Sequence, residues 1–214
     1  MNKIVEDFNR YYFEYELWFE KNEFAYKSEL NLIKSMIPDY ENGIEIGVGT
    51  GLFSEPFGIK FGVDPSFSMM RLAKDRGIRV IKGVAEKLPL KSNIFDLVIF
   101  VTAICFVKNP FKALVDINRI LKMNTNIIVG FVNPYSKIGR MYKWKKNKSK
   151  FYKNAFFYDY YEVEKLLIMS GFELELVRQT LFSELKDIND VDEIRDGHRD
   201  GAFISILARK SKSS

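Results

Sequence analysis

The run Gly43-Ile44-Glu45-Ile46-Gly47-Val48-Gly49-Thr50-Gly51 constrains this chain more than any other stretch. Alternating apolar residues give way to a glycine turn, the pattern of a buried strand that breaks into a loop and opens a helix near Thr50. A second run, Ile59 to Asp64, reads as the neighbouring strand and ends in a carboxylate. Such a pair holds a nucleoside over the edge of a parallel sheet. Glycines let the backbone approach the ligand, and the acid takes the ribose hydroxyls. The chain is therefore expected to bind a nucleoside-containing cofactor.

The details of the turn select among cofactors. Dinucleotide loops favour G-x-G-x-x-G, with a pyrophosphate on the helix N-terminus. Here the glycines are Gly47, Gly49 and Gly51, position 52 is Leu52, and Glu45 stands two residues ahead of the loop. A carboxylate there suits a cationic ligand better than a pyrophosphate. S-adenosylmethionine has no phosphate and carries a sulfonium and an ammonium. The stretch resembles the Glu/Asp-x-Gly-x-Gly-x-Gly cofactor loop of the class I S-adenosylmethionine-dependent methyltransferases, and the resemblance runs over roughly residues 40–175.

Within that span Gly62-Val63-Asp64-Pro65-Ser66 is similar to the family's second motif, which implies Asp64 on the ribose diol and Pro65 against adenine. Gly83-Val84-Ala85-Glu86-Lys87-Leu88-Pro89 resembles the Gly-x-Ala-Glu-x-Leu-Pro turn, which implies Ala85 and Glu86 at the adenine edge. Phe95-Asp96-Leu97-Val98 resembles the start of the fourth strand, so the backbone at Val101 and Thr102 would pass the methionine end. Asp116 to Lys122 matches the helix that follows. Near the N-terminus, Tyr15-Glu16-Leu17-Trp18-Phe19 resembles the Tyr-Asp-x-Trp-Phe element of ubiquinone/menaquinone-type (type 11) members, which implies that Tyr15 closes over the methionine end.

Each of these residues also has a purely structural reading. Asp64 before Pro65 is common turn chemistry, and Glu86 could be a surface acid. Glu45 could lie on an exposed strand face, although a charge between Ile44 and Ile46 needs a partner. Their order along the chain favours cofactor binding. Two departures from the family stand out. Lys122-Met123-Asn124-Thr125 replaces the usual Lys-Pro-Gly-Gly, and asparagine at positive φ predicts a reshaped turn with the fold retained. Cys105-Phe106 stands where relatives often carry histidine, so that candidate general base is missing.

Around these motifs the chain alternates strand and helix. Residues 4–37 read as helix with an aromatic stripe of Phe8, Tyr11, Tyr12, Tyr15, Trp18 and Phe19, and Leu30, Ile33 and Ile37 continue a second helix, stopped by Pro38. Later helices are expected over 66–76, from Asn109-Pro110 to about Lys122, and over 159–170 with Asp159 and Glu162 as a capping box. Strands are expected over 78–83, 95–101, 126–132, 172–182 and 203–209. The expected fold is α/β: a Rossmann-like, doubly wound, mostly parallel seven-stranded sheet with a C-terminal antiparallel hairpin. Residues 1–214 would form one methyltransferase domain, with 1–38 as a helical cover and 133–157 as a basic, aromatic insertion.

The 214 residues are 47% hydrophobic, enough for a sizeable core, yet no apolar run approaches the ~20 residues of a bilayer span. The single cysteine, Cys105, allows no internal disulfide and is expected to pack as a small hydrophobe. A soluble cytoplasmic protein without a metal site is the simplest expectation. The net charge of +5 is concentrated: residues 133–153 hold seven lysines, one arginine and no acid, leaving the remainder net negative. That distribution weakens a general nucleic-acid argument.

Methyl transfer from a sulfonium needs alignment in a dry site more than it needs a fixed base, so the lack of a catalytic signature is expected. The reading is methyl transfer to a small-molecule acceptor by in-line displacement. The alternatives are a non-catalytic S-adenosylmethionine-binding scaffold, an NAD-binding oxidoreductase or an RNA methyltransferase. The acceptor pocket would come from Trp18 in the cover, from Tyr142 and Trp144 in a gating insertion, and from His198 in the turn before the last strand. For His198 the plain alternative is a solvated loop residue, and for the insertion a surface helix with solvated lysines.

Overall fold

Five short apolar segments build the parallel half of the sheet in the computed structural model, which describes residues 3–211. They are β1 (Gly43–Ile46), β2 (Phe61–Asp64), β3 (Arg79–Lys82), β4 (Phe95–Val101) and β5 (Leu121–Val132). Three antiparallel strands follow: β6 (Phe172–Thr180), β7 (Arg195–Asp196) and β8 (Phe203–Lys210). The order across the sheet is β3-β2-β1-β4-β5-β8-β6-β7. There are thus eight strands, not seven, because Arg195 and Asp196 fold back onto Gln179 and Arg178 at the outer edge. A two-residue strand is too short for alternation to register.

Alternation along β4 splits the core into two layers. Leu97, Ile99 and Val101 pack with Leu32 and Ile33 of α3 (Glu23–Lys34) on one face. Val98 and Phe100 pack on the other face with Leu114 and Ile117 of α6 (Pro110–Ile120) and Leu167 of α8 (Tyr160–Met169). α5 (Phe67–Asp75) sets Ala73 against Val48 and Ile78. The expected caps are present: Ser66 accepts from the Met69 N–H, and Asp159 and Glu162 form a reciprocal capping box.

The N-terminal cover holds three helices, not two. It comprises α1 (Lys3–Arg10), α2 (Tyr12–Lys21) and α3. At the second break the Asn22 side chain donates to the Trp18 carbonyl at 2.7 Å, competing with helix propagation. Ahead of the first break, Asn9 Oδ1 accepts from Ser66 Oγ and Ser68 N at 2.8 and 3.1 Å, tying α1 to the start of α5.

Two further boundaries differ from expectation. Helix does not begin at Thr50 but at α4 (Ser54–Phe57), because Gly51 at φ +89° cannot join a right-handed helix. β5 begins at Leu121, where α6 ends, and its register against β4 jumps between Leu121 and Asn126. Asn124 carries that irregularity at φ +60°, the conformation expected of it, and Thr125 Oγ1 donates to the Lys122 carbonyl at 2.8 Å. Among the described residues no helix is long and apolar enough to cross a membrane.

Candidate functional site

The strand order reverses between β1 and β4, and a ligand crevice forms outside the carboxyl ends of strands at such a point. The glycine loop lies across it. Gly47 N and Val48 N both donate to the Val63 carbonyl, at 2.7 and 3.1 Å, folding the loop over the end of β2. A Cβ on Gly47 would stand 2.6 Å from Ala103 Cβ, in a backbone at φ +73°, so only glycine lets the ends of β1 and β4 approach this closely. Gly51 is filled from behind by Ile78, whereas Gly49 looks out toward the Tyr15 hydroxyl, 3.7 Å from where its Cβ would be.

Three acids surround the loop, each tied differently. Asp64, at the end of β2, accepts from Gly49 N at 2.9 Å and from Ser66 N at 2.8 Å. Burial pushes its pKa up to about 6 against those two bonds. Glu45 is buried in β1 between Gly62 and Ile99 and accepts from Ser54 Oγ at 2.5 Å. Burial, aided by the nearby Asp64, pushes Glu45 to about 8. It stands behind the loop, not in the cavity wall, and its partner is the serine that opens α4. Both carboxyl groups would be relieved by a cationic occupant. Glu86 Oε1 accepts from Lys108 N and Asn109 N at 2.9 and 3.3 Å, fastening its loop to the start of α6.

A cavity of about 620 Å³ occupies the crevice. Gly47, Gly49, Asp64, Pro65, Ala85 and Glu86 line it from the loops, and Val101 and Thr102 from the end of β4. Tyr15 covers it from α2. Thr102 sits at φ +50°, rare for a β-branched residue, with its N–H donating to the Gly130 carbonyl at 2.7 Å. Cys105 donates to the Thr102 carbonyl, and burial pushes its thiol up to about 12, so it is no thiolate nucleophile.

A second, smaller cavity of about 70 Å³ adjoins the first. Phe8, Tyr15, Thr102 and Phe106 face both spaces. Apart from one acid, the rest of its wall is aromatic and apolar, with Trp18 and Phe19 from α2, and Tyr142 from α7 (Lys137–Lys145). Phe151 and Tyr152 come from the segment after α7. Tyr142 stacks on Tyr152 with ring centres 4.8 Å apart, and Phe151 packs on Phe8 at 5.4 Å. Lys150 pairs with Glu14 at 2.8 Å, so the insertion and the N-terminal cover close against each other.

Trp18 and Tyr142 therefore come together, but Trp144 and His198 do not join them. Trp144 is 83% exposed on the outer face of α7, and neither it nor His198 lines either cavity. His198 is stacked on Tyr160, with ring centres 3.6 Å apart. None of the lysines from Lys137 to Lys153 lines a cavity. The residue that sequence reasoning missed is Glu29, on α3, which lines the smaller cavity. Its signal was available: Ala25, Ser28, Leu32 and Ile33 mark one buried helical stripe, and Glu29 interrupts it.

Comparison with known proteins agrees with this geometry. The family described as a methyltransferase domain matches residues 44–129. An uncharacterised protein of Methanocaldococcus jannaschii is 43% identical over 95% of this chain and 98% of its own length. The crystal structure of a Thermotoga maritima SAM-dependent methyltransferase, described as a "possible histamine N-methyltransferase", superposes with a TM-score of 0.94 at 45% identity. That match covers 96% of this chain and 99% of the other. A SAM-dependent methyltransferase from Archaeoglobus fulgidus shares the fold at 18% identity, with a TM-score of 0.68 over 92% of this chain and 99% of its own.

Proposed function

Because this chain belongs to the class I S-adenosylmethionine-dependent methyltransferases, enzymes whose methyl donor is S-adenosylmethionine, we propose that it methylates a small molecule held in the smaller cavity. The donor occupies the larger one. The observation that carries this reading is the shared wall of Phe8, Tyr15, Thr102 and Phe106, which puts a polar, acid-bearing space beside an aromatic one.

The larger cavity fits the donor. Its 620 Å³ lies within the ~300–1,000 Å³ of small-molecule sites. Gly49 leaves its floor bare, and after accepting two backbone bonds Asp64 still has a lone pair on each oxygen for two vicinal hydroxyls. When bound, S-adenosylmethionine supplies a methyl group on a sulfonium, a leaving group that is already activated. The residues of this chain then do the positioning. Asp64 holds the ribose, while Pro65, Ala85 and Glu86 border the base. Glu45 with Ser54 sets negative charge behind the loop. Val101, Thr102 and Tyr15 flank the reacting end, and the rings of the smaller cavity exclude water. Alignment of this kind supplies ~7–11 kcal/mol, which accounts for a site with no histidine beside Cys105.

The small volume of the second cavity and the absence of the basic segment's lysines from both walls favour a small molecule over RNA. The Thermotoga relative, described as a "possible histamine N-methyltransferase", supports the same choice. Calorimetry with S-adenosylhomocysteine tests the donor half. The wild type should bind it, and Asp64→Ala should bind at least ~10-fold more weakly, since the lost bonds are to a charged group. S-adenosylhomocysteine release across amines, quinols, catechols and thiols tests the acceptor half. Turnover on RNA alone would overturn it.

A further inference from the structure

α3 buries a stripe of Ala25, Ser28, Leu32 and Ile33, and Glu29 stands within it. Glu29 is 6% exposed, and among the described residues its carboxyl has neither a hydrogen-bond nor a salt-bridge partner. Its neighbour Ser28 shows the contrast, donating to the Phe24 carbonyl and accepting from Asp192 N. The other buried acids of the site are answered too, Glu45 by Ser54 and Asp64 by two backbone N–H groups. Burial alone pushes Glu29 up to about 8. An acid held without a partner at the wall of a cavity is an acid waiting for one from the cavity.

The surroundings define the partner. No lysine, arginine or histidine lines this cavity; its other titratable members are Tyr15 on α2, Tyr142 on α7 and Tyr152. Desolvation raises all three phenols, so they stay neutral. One carboxylate among ring faces is the complement of a small organic cation. A cation can take the ionised form as its partner, whereas an anionic or neutral occupant offers the carboxylate no counter-charge and leaves the acid protonated. We propose that Glu29 is the counter-ion of a small amine, so that the methyl acceptor of this enzyme carries a protonated nitrogen held between this carboxylate and the rings of Trp18, Tyr142 and Tyr152. This rests on the reading of the smaller cavity as the acceptor pocket.

Phenethylamine, 2-phenylethanol and phenylacetate share one ring and differ in charge, so their binding to the full chain saturated with S-adenosylhomocysteine tests the proposal. By calorimetry at neutral pH the amine should bind at least ~10-fold more tightly than the alcohol or the acid. Glu29→Gln should lose at least ~10-fold of the amine affinity while the alcohol binds as well as before or better, and Glu29→Asp should restore part of the loss. Unchanged S-adenosylhomocysteine affinity certifies that each variant is folded, and the wild-type comparison needs no variant. Equal binding of amine and alcohol, or an amine affinity indifferent to Glu29→Gln, would overturn the proposal. Methylation of a neutral acceptor at an undiminished rate by Glu29→Gln would sink the amine and spare the pocket. Amines that bind through Glu29 yet never release S-adenosylhomocysteine from the donor-loaded enzyme would overturn the assignment of the pocket itself.

Discussion

The two cavities are built on opposite plans. The larger is a backbone site: glycine turns and strand ends shape it, and the acids in its wall are fastened by N–H groups, with Glu45 behind the loop held by a serine. The smaller is a side-chain site, walled by rings from α1, α2, α7 and the segment after it, with an acid that nothing fastens. The first plan fixes a ligand common to a whole family, because backbone geometry changes little when side chains vary. The second leaves the wall free to diverge. On the proposed function, donor binding and acceptor choice reside in separate materials that meet at Phe8, Tyr15, Thr102 and Phe106.

The sharpest way to break the comparison is to add one carbon to the backbone site. Gly47→Ala places a Cβ 2.6 Å from that of Ala103 at φ +73°. Overpacking and strain each cost on the order of 1–3 kcal/mol. The variant should melt several degrees below wild type and lose S-adenosylhomocysteine binding. Gly49→Ala shares the positive-φ strain, at φ +53°, but not the clash: its Cβ meets only the Tyr15 side chain, no nearer than 3.7 Å, so folding should suffer less than in Gly47→Ala while binding is still lost. If both alanines behave alike, the close approach of β1 to β4 is not what Gly47 serves.

The same division explains what could be read in the sequence. The glycine loop, Asp64 and the Ala85-Glu86 turn are local in the chain, each carried by a few consecutive residues with fixed backbone demands, and all were legible. So were the caps at Ser66 and Asp159 and the positive φ of Asn124. The smaller cavity collects residues from Phe8 to Ala202, and only folding brings them together. Trp144 and Tyr142 looked equivalent in the sequence, yet they lie two residues apart on α7 and face different ways. Glu29 gave a faint signal, one charge in an apolar stripe, outweighed by the aromatic pattern ahead of it.

A second test sharpens the contrast between fastened and unfastened acids. Glu29 and Glu45 are raised to about 8 and Asp64 to about 6, burial being the first cause in each. A carboxyl whose folded pKa lies above its unfolded value binds its proton more tightly when folded. The stability it lends is full below the unfolded pKa, near 4.5 for Glu29, and is lost as pH rises through about 8. Ligand-free Glu29→Gln should therefore match wild type near pH 4.5 and exceed it at pH 8.5, by on the order of 1–3 kcal/mol. Melting curves across that range decide the matter. Parallel curves for the two proteins would mean that Glu29 has a partner in solution.

The smallest expected effect separates the two faces of α7. Trp144 is 83% exposed and touches neither cavity, so Trp144→Ala is a surface substitution, expected within ~0.5 kcal/mol of wild-type stability. It should leave the acceptor KM and S-adenosylhomocysteine affinity where they were. Tyr142 stacks on Tyr152 in the wall of the smaller cavity. Removing that ring in Tyr142→Ala takes away contact with the acceptor before and during methyl transfer alike, so KM should rise with kcat little changed. Donor affinity should not move, because Tyr142 does not line the larger cavity. If Trp144→Ala instead raised KM as much as Tyr142→Ala, the outer face of α7 would have to swing inward during turnover. The acceptor wall would then be a moving part, in contrast to the fixed backbone of the donor site.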